Sequence, residues 1–353
     1  MDPLFTDESK TPSISVPSPD GEERKACTEL DPSEFFIRHP PKPHMLNTFI
    51  TPDDQLFQTV HMGAAVIDLE RYKITIDGLV QRPFSLTIDQ LKQFPSTTIT
   101  SFHECYGSPV KPPVQNLWRI GNIRWTGVPL KSIMALAKPL PEASFVWSDD
   151  LDFGKFGGVE SDRYQKDLPL EKALSSEVLL AYEINGEPLC RKRGGPVRLM
   201  VPGWFGTNST KWLCRLSLQS RRATGHFTTT FYNEKHPTDS NGGMRPVWMV
   251  KPNSMIVSPA QDAVVEGLRI DIVGWAWSCG GIKDVSLSVD GEKSWIETNL
   301  EPRIDFSWQK FNATLNLSPG SHRITSRATS TNGLQQPLTG HRDHVHSVTL
   351  EVL

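Results

Sequence analysis

The run Phe102-His103-Glu104-Cys105-Tyr106-Gly107-Ser108-Pro109 places a thiol where a short strand gives way to a turn. Thr98-Ile99-Thr100-Ser101 reads as the strand, and the Gly, Ser and Pro that follow break regular structure. A thiolate presented at such a junction serves as a nucleophile or as a soft metal ligand. A lone cysteine also fits the plainer role of a small buried hydrophobe. Two later stretches combine backbone freedom with positive charge: 191–198 (Arg-Lys-Arg-Gly-Gly-Pro-Val-Arg) and 202–211 (Pro-Gly-Trp-Phe-Gly-Thr-Asn-Ser-Thr-Lys). Glycine lets backbone N–H groups approach an anion, and arginine grips phosphate with two parallel donors. Together the loops suit a phosphorylated cofactor or substrate; each alone also fits a surface turn with solvated charges. The sequence contains no GxxxxGK[ST], no GxGxxG after a strand, no GxSxG and no HExxH. Walker-type, dinucleotide-binding, serine-hydrolase and zinc-protease chemistries therefore have no support.

The elements that position these loops are short. Tyr72 to Val80 alternates and turns at Asp77-Gly78. Thr87 with Gln90 three residues on forms a capping-box pattern ahead of a short helix that Pro95 stops. Residues 122–130 lead into a helix over Leu130 to Ala137. A Gly- and Asp-rich loop follows at 150–165, then a helix at Leu170 to Leu174 and a buried strand at Val178 to Tyr182. Leu199 to Val201 and Leu213 to Leu218 read as strands on either side of the second basic loop. Beyond Thr238-Asp239-Ser240-Asn241-Gly242-Gly243 the pattern changes to closely spaced alternating segments, with turns at Asp290-Gly291 and Pro319-Gly320. Strands without helices at this spacing predict a β-sandwich.

A chain of 353 residues exceeds one ordinary core and predicts two domains. Its net charge of −3 gives no basic excess for nucleic acid. Ten Trp and 28 Pro favour a loop-rich protein with aromatic-lined pockets over a helical bundle. The five cysteines are widely spaced and form no CxxC pair, which argues against a zinc site or a disulfide framework. No secretory signal and no long apolar span is seen. The expected location is cytoplasmic, with mitochondria left open. Residues 1–33, acidic and rich in Pro and Ser, are expected to be a disordered tail.

Read together, these stretches resemble the sulfite oxidase family of molybdopterin oxidoreductases. The carriers are Phe35-Phe36-Ile37-Arg38-His39; Glu104-Cys105 followed by Gly121 to Leu130; Leu180 to Leu189, then Gly195-Pro196-Val197-Arg198 and Lys211-Trp212-Leu213; and Trp275-Ala276-Trp277-Ser278 with Val289-Asp290-Gly291. The resemblance implies an α+β fold: a mixed α/β molybdopterin-binding domain at 34–237, a linker at 238–247, and an immunoglobulin-like dimerisation sandwich at 248–353. It implies the molybdenum cofactor, with Cys105 as the protein's metal ligand and Tyr232 and Arg38 beside the reacting centre. Arg38, His39, Arg193, Arg198, Ser209, Thr210 and Lys211 would hold the cofactor. The implied reaction is two-electron oxygen-atom transfer, by default sulfite to sulfate. The alternatives are another S- or N-oxygenated substrate of nitrate or organic-sulfoxide type, or a non-catalytic cofactor-binding scaffold. The implied partners are a small oxyanion or S/N-oxo substrate, a separate acceptor (oxygen or a cytochrome-type carrier), and a second copy of the chain, with no fused haem or flavin domain. Nucleic acid and membrane are not expected.

Departures from the family pattern concern the substrate. The sulfite-oxidising cysteine loop, Cys-Ala-Gly-Asn-Arg-Arg, has Val110 in place of an arginine, Lys111 next to it, and Tyr106 after the cysteine. Arg193 stands where the family has histidine. His61, His103 and the terminal cluster His341-Arg342-Asp343-His344-Val345-His346 are further candidates to reach the pocket, set against structural roles.

Overall fold

A computed structural model of the chain describes residues 21–108, 118–235, 243–340 and 342–353. Ordered chain begins before residue 34. Cys27–Ser33 forms a strand paired antiparallel with Gly63–Ile67, so the expected tail is shorter than 1–33; residues 1–20 lie outside the described ones. Leu30, packed on the first-domain core, fastens this strand. Part of the expected linker also lies outside the description, and Met244–Pro246 instead pairs with Asn233–Lys235.

Two sheets build the first domain. One runs in the order Gln165–Pro169, Phe145–Asp149, Arg215–Gln219, Ile74–Gly78, Phe84–Leu86, with Arg215–Gln219 parallel to Ile74–Gly78. The other runs Glu187–Pro188, Leu179–Ile184, Ile120–Pro129, Thr97–Glu104, with Arg198–Met200 branching from Leu179–Ile184. The local patterns explain the helices between them. Thr87 accepts from the Gln90 N–H while the Gln90 side chain accepts from the Thr87 N–H, closing the capping box that starts α1 (Ile88–Leu91). In α2 (Leu130–Ala137), Leu130, Ile133, Met134 and Ala137 recur at helical spacing and are all buried. Helices α3 (Leu170–Ala173) and α4 (His226–Thr229) are single turns.

The second domain is a sandwich. A four-stranded sheet (Asn253–Ser258, Arg269–Trp277, Gln309–Asn316, Asn299–Leu300) faces a five-stranded one (Ala263–Val265, His346–Val352, Gly320–Ser330, Ile282–Ser288, Ile296–Glu297). Ile272, Val285, Leu287, Phe311, Ile324 and Val348 fill the space between.

A third core joins the domains. Phe102, Trp118, Ile120 and Phe205 of the first pack with Met255, Val257, Trp275, Trp277 and Trp308 of the second. Each indole of the second group has a polar tether in the first domain. Trp275 Nε1 donates to the Leu46 carbonyl at 2.6 Å, Trp308 Nε1 to the Phe49 carbonyl at 3.0 Å, and Trp277 Nε1 to Glu104 Oε2 at 2.9 Å. The strand that leads to Cys105 is braced directly: Phe102 N donates to the Phe306 carbonyl at 3.0 Å, and Phe306 N to the Thr100 carbonyl at 2.9 Å. Among the described residues no helix is long and apolar enough to cross a membrane.

Gly127 marks the tightest approach in the cysteine sheet, where a Cβ would stand 2.2 Å from the Leu180 carbonyl oxygen. Gly127→Ala is expected to destabilise the first domain by about 1–3 kcal/mol, the usual range for overpacking. The check is a lower denaturation midpoint; an unchanged midpoint would contradict the close packing of these two strands.

Candidate functional site

The ends of both first-domain sheets converge on one cleft of about 730 Å³, part of it open to solvent. Cys105, one residue past the Thr97–Glu104 strand, lines it together with Thr59, His61, His103, Tyr106, Asp150, Asp152, Tyr164, Arg193, Arg198, Ser209, Lys211 and Tyr232. Backbone bonds set the thiol. Cys105 N donates to the Arg119 carbonyl at 2.9 Å, Ser108 N returns to the Cys105 carbonyl at 3.0 Å, and Gly107 N points at Sγ from 3.3 Å. Thr59 Oγ1 lies 3.8 Å from Sγ.

The two basic loops form one floor. Leu199 N donates to the Thr210 carbonyl at 2.8 Å, Trp212 N to the Gly194 carbonyl at 2.9 Å, and Leu213 N to the Val197 carbonyl at 3.0 Å. Gly194 makes this possible: at φ +91° a side chain would be strained, and a Cβ there would sit 2.5 Å from Lys211 Cγ. The result is three cations held at one wall. Arg198 is only 4% exposed. Its Nη atoms donate to the Arg193 and Ser209 carbonyls at 3.0 and 3.1 Å, its guanidinium lies over Trp125 at 5.1 Å, and its Nε is buried with no partner. No ion pair reaches it among the described residues. Burial first, then the Arg193 charge, press it below its ordinary pKa. Lys211 Nζ donates to the Thr59 carbonyl at 2.6 Å, and burial lowers it to about 8 against the opposing pull of Asp152. Arg193, by contrast, is paired with Asp53 and donates to the Phe57 carbonyl at 2.8 Å.

Opposite stand two buried carboxyls. Asp150 and Asp152 are both raised, chiefly by burial, and are hydrogen-bonded to each other. Asp150 accepts from the Tyr164 N–H at 2.9 Å, whereas Asp152 Oδ1 has no partner. Near Cys105 the lining is aromatic, with the Arg119 guanidinium close by: a Cβ on Gly107 would stand 2.5 Å from Arg119 Nη1 and 3.6 Å from Cys105 Sγ. His61 Nε2 and the Tyr232 hydroxyl share a hydrogen bond at 2.5 Å. His61 is lowered to about 3 by burial and then by Lys211, so the ring is neutral at physiological pH. Tyr232 is raised, first by burial and then by the nearby Cys105, so its hydroxyl keeps its proton. The backbone of Tyr232 holds φ +58°, a strained value for a bulky residue.

The structure brings some of the expected residues together and sets others apart. Cys105, Arg193, Arg198, Ser209, Lys211 and Tyr232 come together around the cleft. Arg38 and His39 do not line it. The Phe36–Arg38 strand lies outside Gln58–Val60, to which it pairs, and Arg38 turns back to the Asp53 and Leu56 carbonyls at 2.7 and 2.8 Å. The cleft position belongs to Gln58, Thr59 and His61. Thr210 faces away, sharing a hydrogen bond with Ser148 Oγ at 2.7 Å, and the Ser209 hydroxyl is spent on the Val201 N–H at 3.1 Å. Of the terminal cluster, His346 packs on Trp118, and Arg342 reaches Tyr106 rather than the cleft itself. Val110, Lys111 and His341 lie outside the described residues. Asp150, Asp152 and Thr59 were missed. The Asp-x-Asp spacing after a strand was the one available signal; Thr59 offered none.

A bound molybdenum cofactor asks for a soft ligand, an anion-binding wall and polar groups for a heterocyclic edge. The thiol of Cys105, the unpartnered Arg198 Nε beside Lys211, and the unpartnered Asp152 oxygen meet these demands in one cleft. Comparison with known proteins agrees. The domain family described as "Oxidoreductase molybdopterin binding domain" matches residues 61–227, and "Mo-co oxidoreductase dimerisation domain" matches 245–349. The chain is 31% identical over 336 residues to mitochondrial sulfite oxidase of Mus musculus, covering 87% of this chain and 60% of that one. It is 28% identical to sulfite oxidase of Arabidopsis thaliana over 92% of each chain. Sulfane dehydrogenase SoxCD from Paracoccus pantotrophus superposes with a TM-score of 0.79 at 26% identity, covering 96% of this chain and 88% of that one.

Behind the cysteine, Glu104 is 1% exposed and raised from 4.5 to about 8 by burial, against the Trp277 hydrogen bond and the Arg342 charge. A carboxyl raised on folding stabilises the fold below its unfolded pKa, and that stability is lost as pH climbs through the folded value. The Glu104 contribution is therefore expected to fall between about pH 4.5 and 8, so the difference in denaturation midpoint between wild type and Glu104→Gln should shift against the wild type across that window. Parallel pH profiles would contradict the assignment.

Proposed function

Because the chain belongs to the sulfite oxidase family of molybdopterin oxidoreductases, we propose that it catalyses two-electron oxygen-atom transfer at a sulfur or nitrogen centre. When bound, the molybdenum cofactor supplies the two-electron redox change and the exchange of an oxygen atom. The observation that carries the reading is the cleft in which the Cys105 thiol faces the buried Arg198 and Lys211 cations. Cys105 holds the metal as a thiolate. Arg198 and Lys211 hold the cofactor's anionic group, with Arg193 at the edge of the same wall. Asp152 offers its free oxygen to N–H donors of the pterin.

Near Cys105, Tyr232 and His61 hold one proton between them, at the hydroxyl oxygen and Nε2, where they could serve the oxygen exchange that a bound cofactor would supply. Tyr106, Phe156, Phe227 and Phe231 close around that pair and limit water. The chain's second domain suits a homodimer, and electrons leave to oxygen or to a separate carrier such as a cytochrome.

Sulfite oxidation to sulfate is the reading that the relatives carry. Besides Arg193, Arg198 and Lys211 in the lining, the Arg119 guanidinium stands beside Gly107 and Cys105, a cation suited to an anionic substrate.

Protein expressed with cofactor supply is expected to hold about one molybdenum per chain, a stoichiometry the single thiol ligand sets. It is expected to turn over sulfite with ferricyanide, or a sulfoxide with reduced viologen. Cys105→Ser should lower turnover by more than the roughly 10–100-fold that loss of an outer-shell partner costs. Full activity in that variant, or molybdenum far below one per wild-type chain, would contradict the proposal.

A further inference from the structure

Lys166 is fully buried and does not line the cleft. It stands opposite Ser148 in the strand Gln165–Pro169. Its Nζ donates to the Phe227 carbonyl of α4 at 3.0 Å and lies over the Tyr232 ring, 5.7 Å from the centroid. The adjacent Asp167 is committed elsewhere: its carboxylate accepts from Arg222 Nε and Nη2 at 3.0 and 2.9 Å and from the Ala223 N–H at 2.8 Å. Among the described residues Lys166 forms no ion pair, so one carbonyl and one aromatic face meet its charge. Burial lowers it to about 8, against the pull of Asp167, and it keeps its proton at neutral pH. An unpaired ammonium is costly to take out of water, and an apolar chain of the same length would fill the space without that cost.

What the ammonium touches is the turn that presents Tyr232. The backbone there is bonded on both sides. Phe231 N donates to the His226 carbonyl at 2.8 Å, Asn233 Nδ2 to the Thr228 carbonyl at 2.8 Å, and Val247 N to the Tyr232 carbonyl at 2.9 Å. The strained φ of +58° at Tyr232 is held within that frame. His61 and Tyr106 meet the ring edge-on, each at 5.9 Å, and the Arg119 charge acts on Tyr232 from beside the cysteine loop. A cation prefers the face of an aromatic ring, so Lys166 fixes the tilt of the phenol as well as its place. We propose that Lys166 is a positioning residue: its buried ammonium ties the Phe227 carbonyl to the Tyr232 ring and so keeps the Tyr232 hydroxyl at His61 Nε2, beside Cys105. The proposal rests on the oxygen-transfer reading of the cleft and on the place of Tyr232 in it.

The test uses the full chain expressed with cofactor supply, assayed with sulfite and ferricyanide, and the same chain carrying tyrosine isotopically labelled at Cζ for magnetic resonance. In Lys166→Met, kcat should fall about 10-fold, the lower end of what losing a supporting partner costs, with KM within about twofold. The melting temperature should not fall, because an unpaired buried charge has been removed. Tyr232→Phe keeps the ring and lacks the hydroxyl. In that background Lys166→Met should cost less than about twofold, since a residue that acts through the hydroxyl has nothing left to act on. The Tyr232 Cζ resonance, identified by its loss in Tyr232→Phe, should shift in Lys166→Met, while those of Tyr72 and Tyr182, which do not line the cleft, stay in place. Lys166→Gln, uncharged, should behave in the same way and carries the test if Lys166→Met does not fold. An unchanged kcat, a lowered melting temperature, an equal loss in the Tyr232→Phe background or an unmoved Tyr232 resonance would each overturn the proposal. A wild type that turns over no sulfite, with the resonance shifting as expected, would instead strike the functional reading and leave the hold on Tyr232 standing.

Discussion

A guanidinium buried without a counter-charge is the constraint on which this structure turns. Arg198 is enclosed by Trp125 and by the carbonyls of Arg193 and Ser209, its Nε is unpartnered, and no carboxylate pairs with it among the described residues. Taking one charge out of water costs several kcal/mol even after relaxation. Two carbonyl acceptors and one aromatic face offset part of that. Lys211 adds a second cation to the same wall and is pressed down by the same burial. A fold that keeps such a pair is organised for an anion that arrives later, and most of the local architecture serves the wall. The Gly194 conformation lets the first basic loop lie against Lys211, and the backbone bonds between 194–199 and 210–213 lock the two loops together.

The second constraint comes from across the domain boundary. The strand that leads into the cysteine loop is braced by Phe306 and by three tryptophans whose indole N–H groups all find acceptors in the first domain. The sandwich therefore acts as a buttress for the strand that carries Cys105. Glu104, next to the cysteine, is the point where this bracing carries charge: its carboxyl meets Trp277 and the field of Arg342 in a buried place.

What was legible in the sequence was mostly local chemistry. The Thr87–Gln90 capping box, the apolar spacing of Leu130 to Ala137, and the Cys105, Arg198 and Lys211 side chains each follow from a few adjacent residues. The misplaced segment has a physical reason as well. Phe36-Ile37-Arg38-His39 and Phe57-Gln58-Thr59-Val60-His61 both run from phenylalanine to histidine, and they are partners in one antiparallel pair. Which of two paired strands faces a cleft depends on what packs behind them, and no short window contains that information. The hold of Arg342 on the Ser108 backbone spans 234 residues and lay equally beyond local patterning. Tyr232 sat between the two cases: its spacing was suggestive, but its left-handed backbone and its bond to His61 exist only in the folded chain.

The account is tested most directly by the stabilisation that cofactor binding confers, compared between the wild type and Arg198→Met. Ligand that binds only the folded state raises stability in proportion to its affinity. If the buried guanidinium is kept for the cofactor's anionic group, the melting temperature of the wild type should rise markedly on loading, and that increment should collapse in Arg198→Met. An equal increment in both proteins would contradict the central claim.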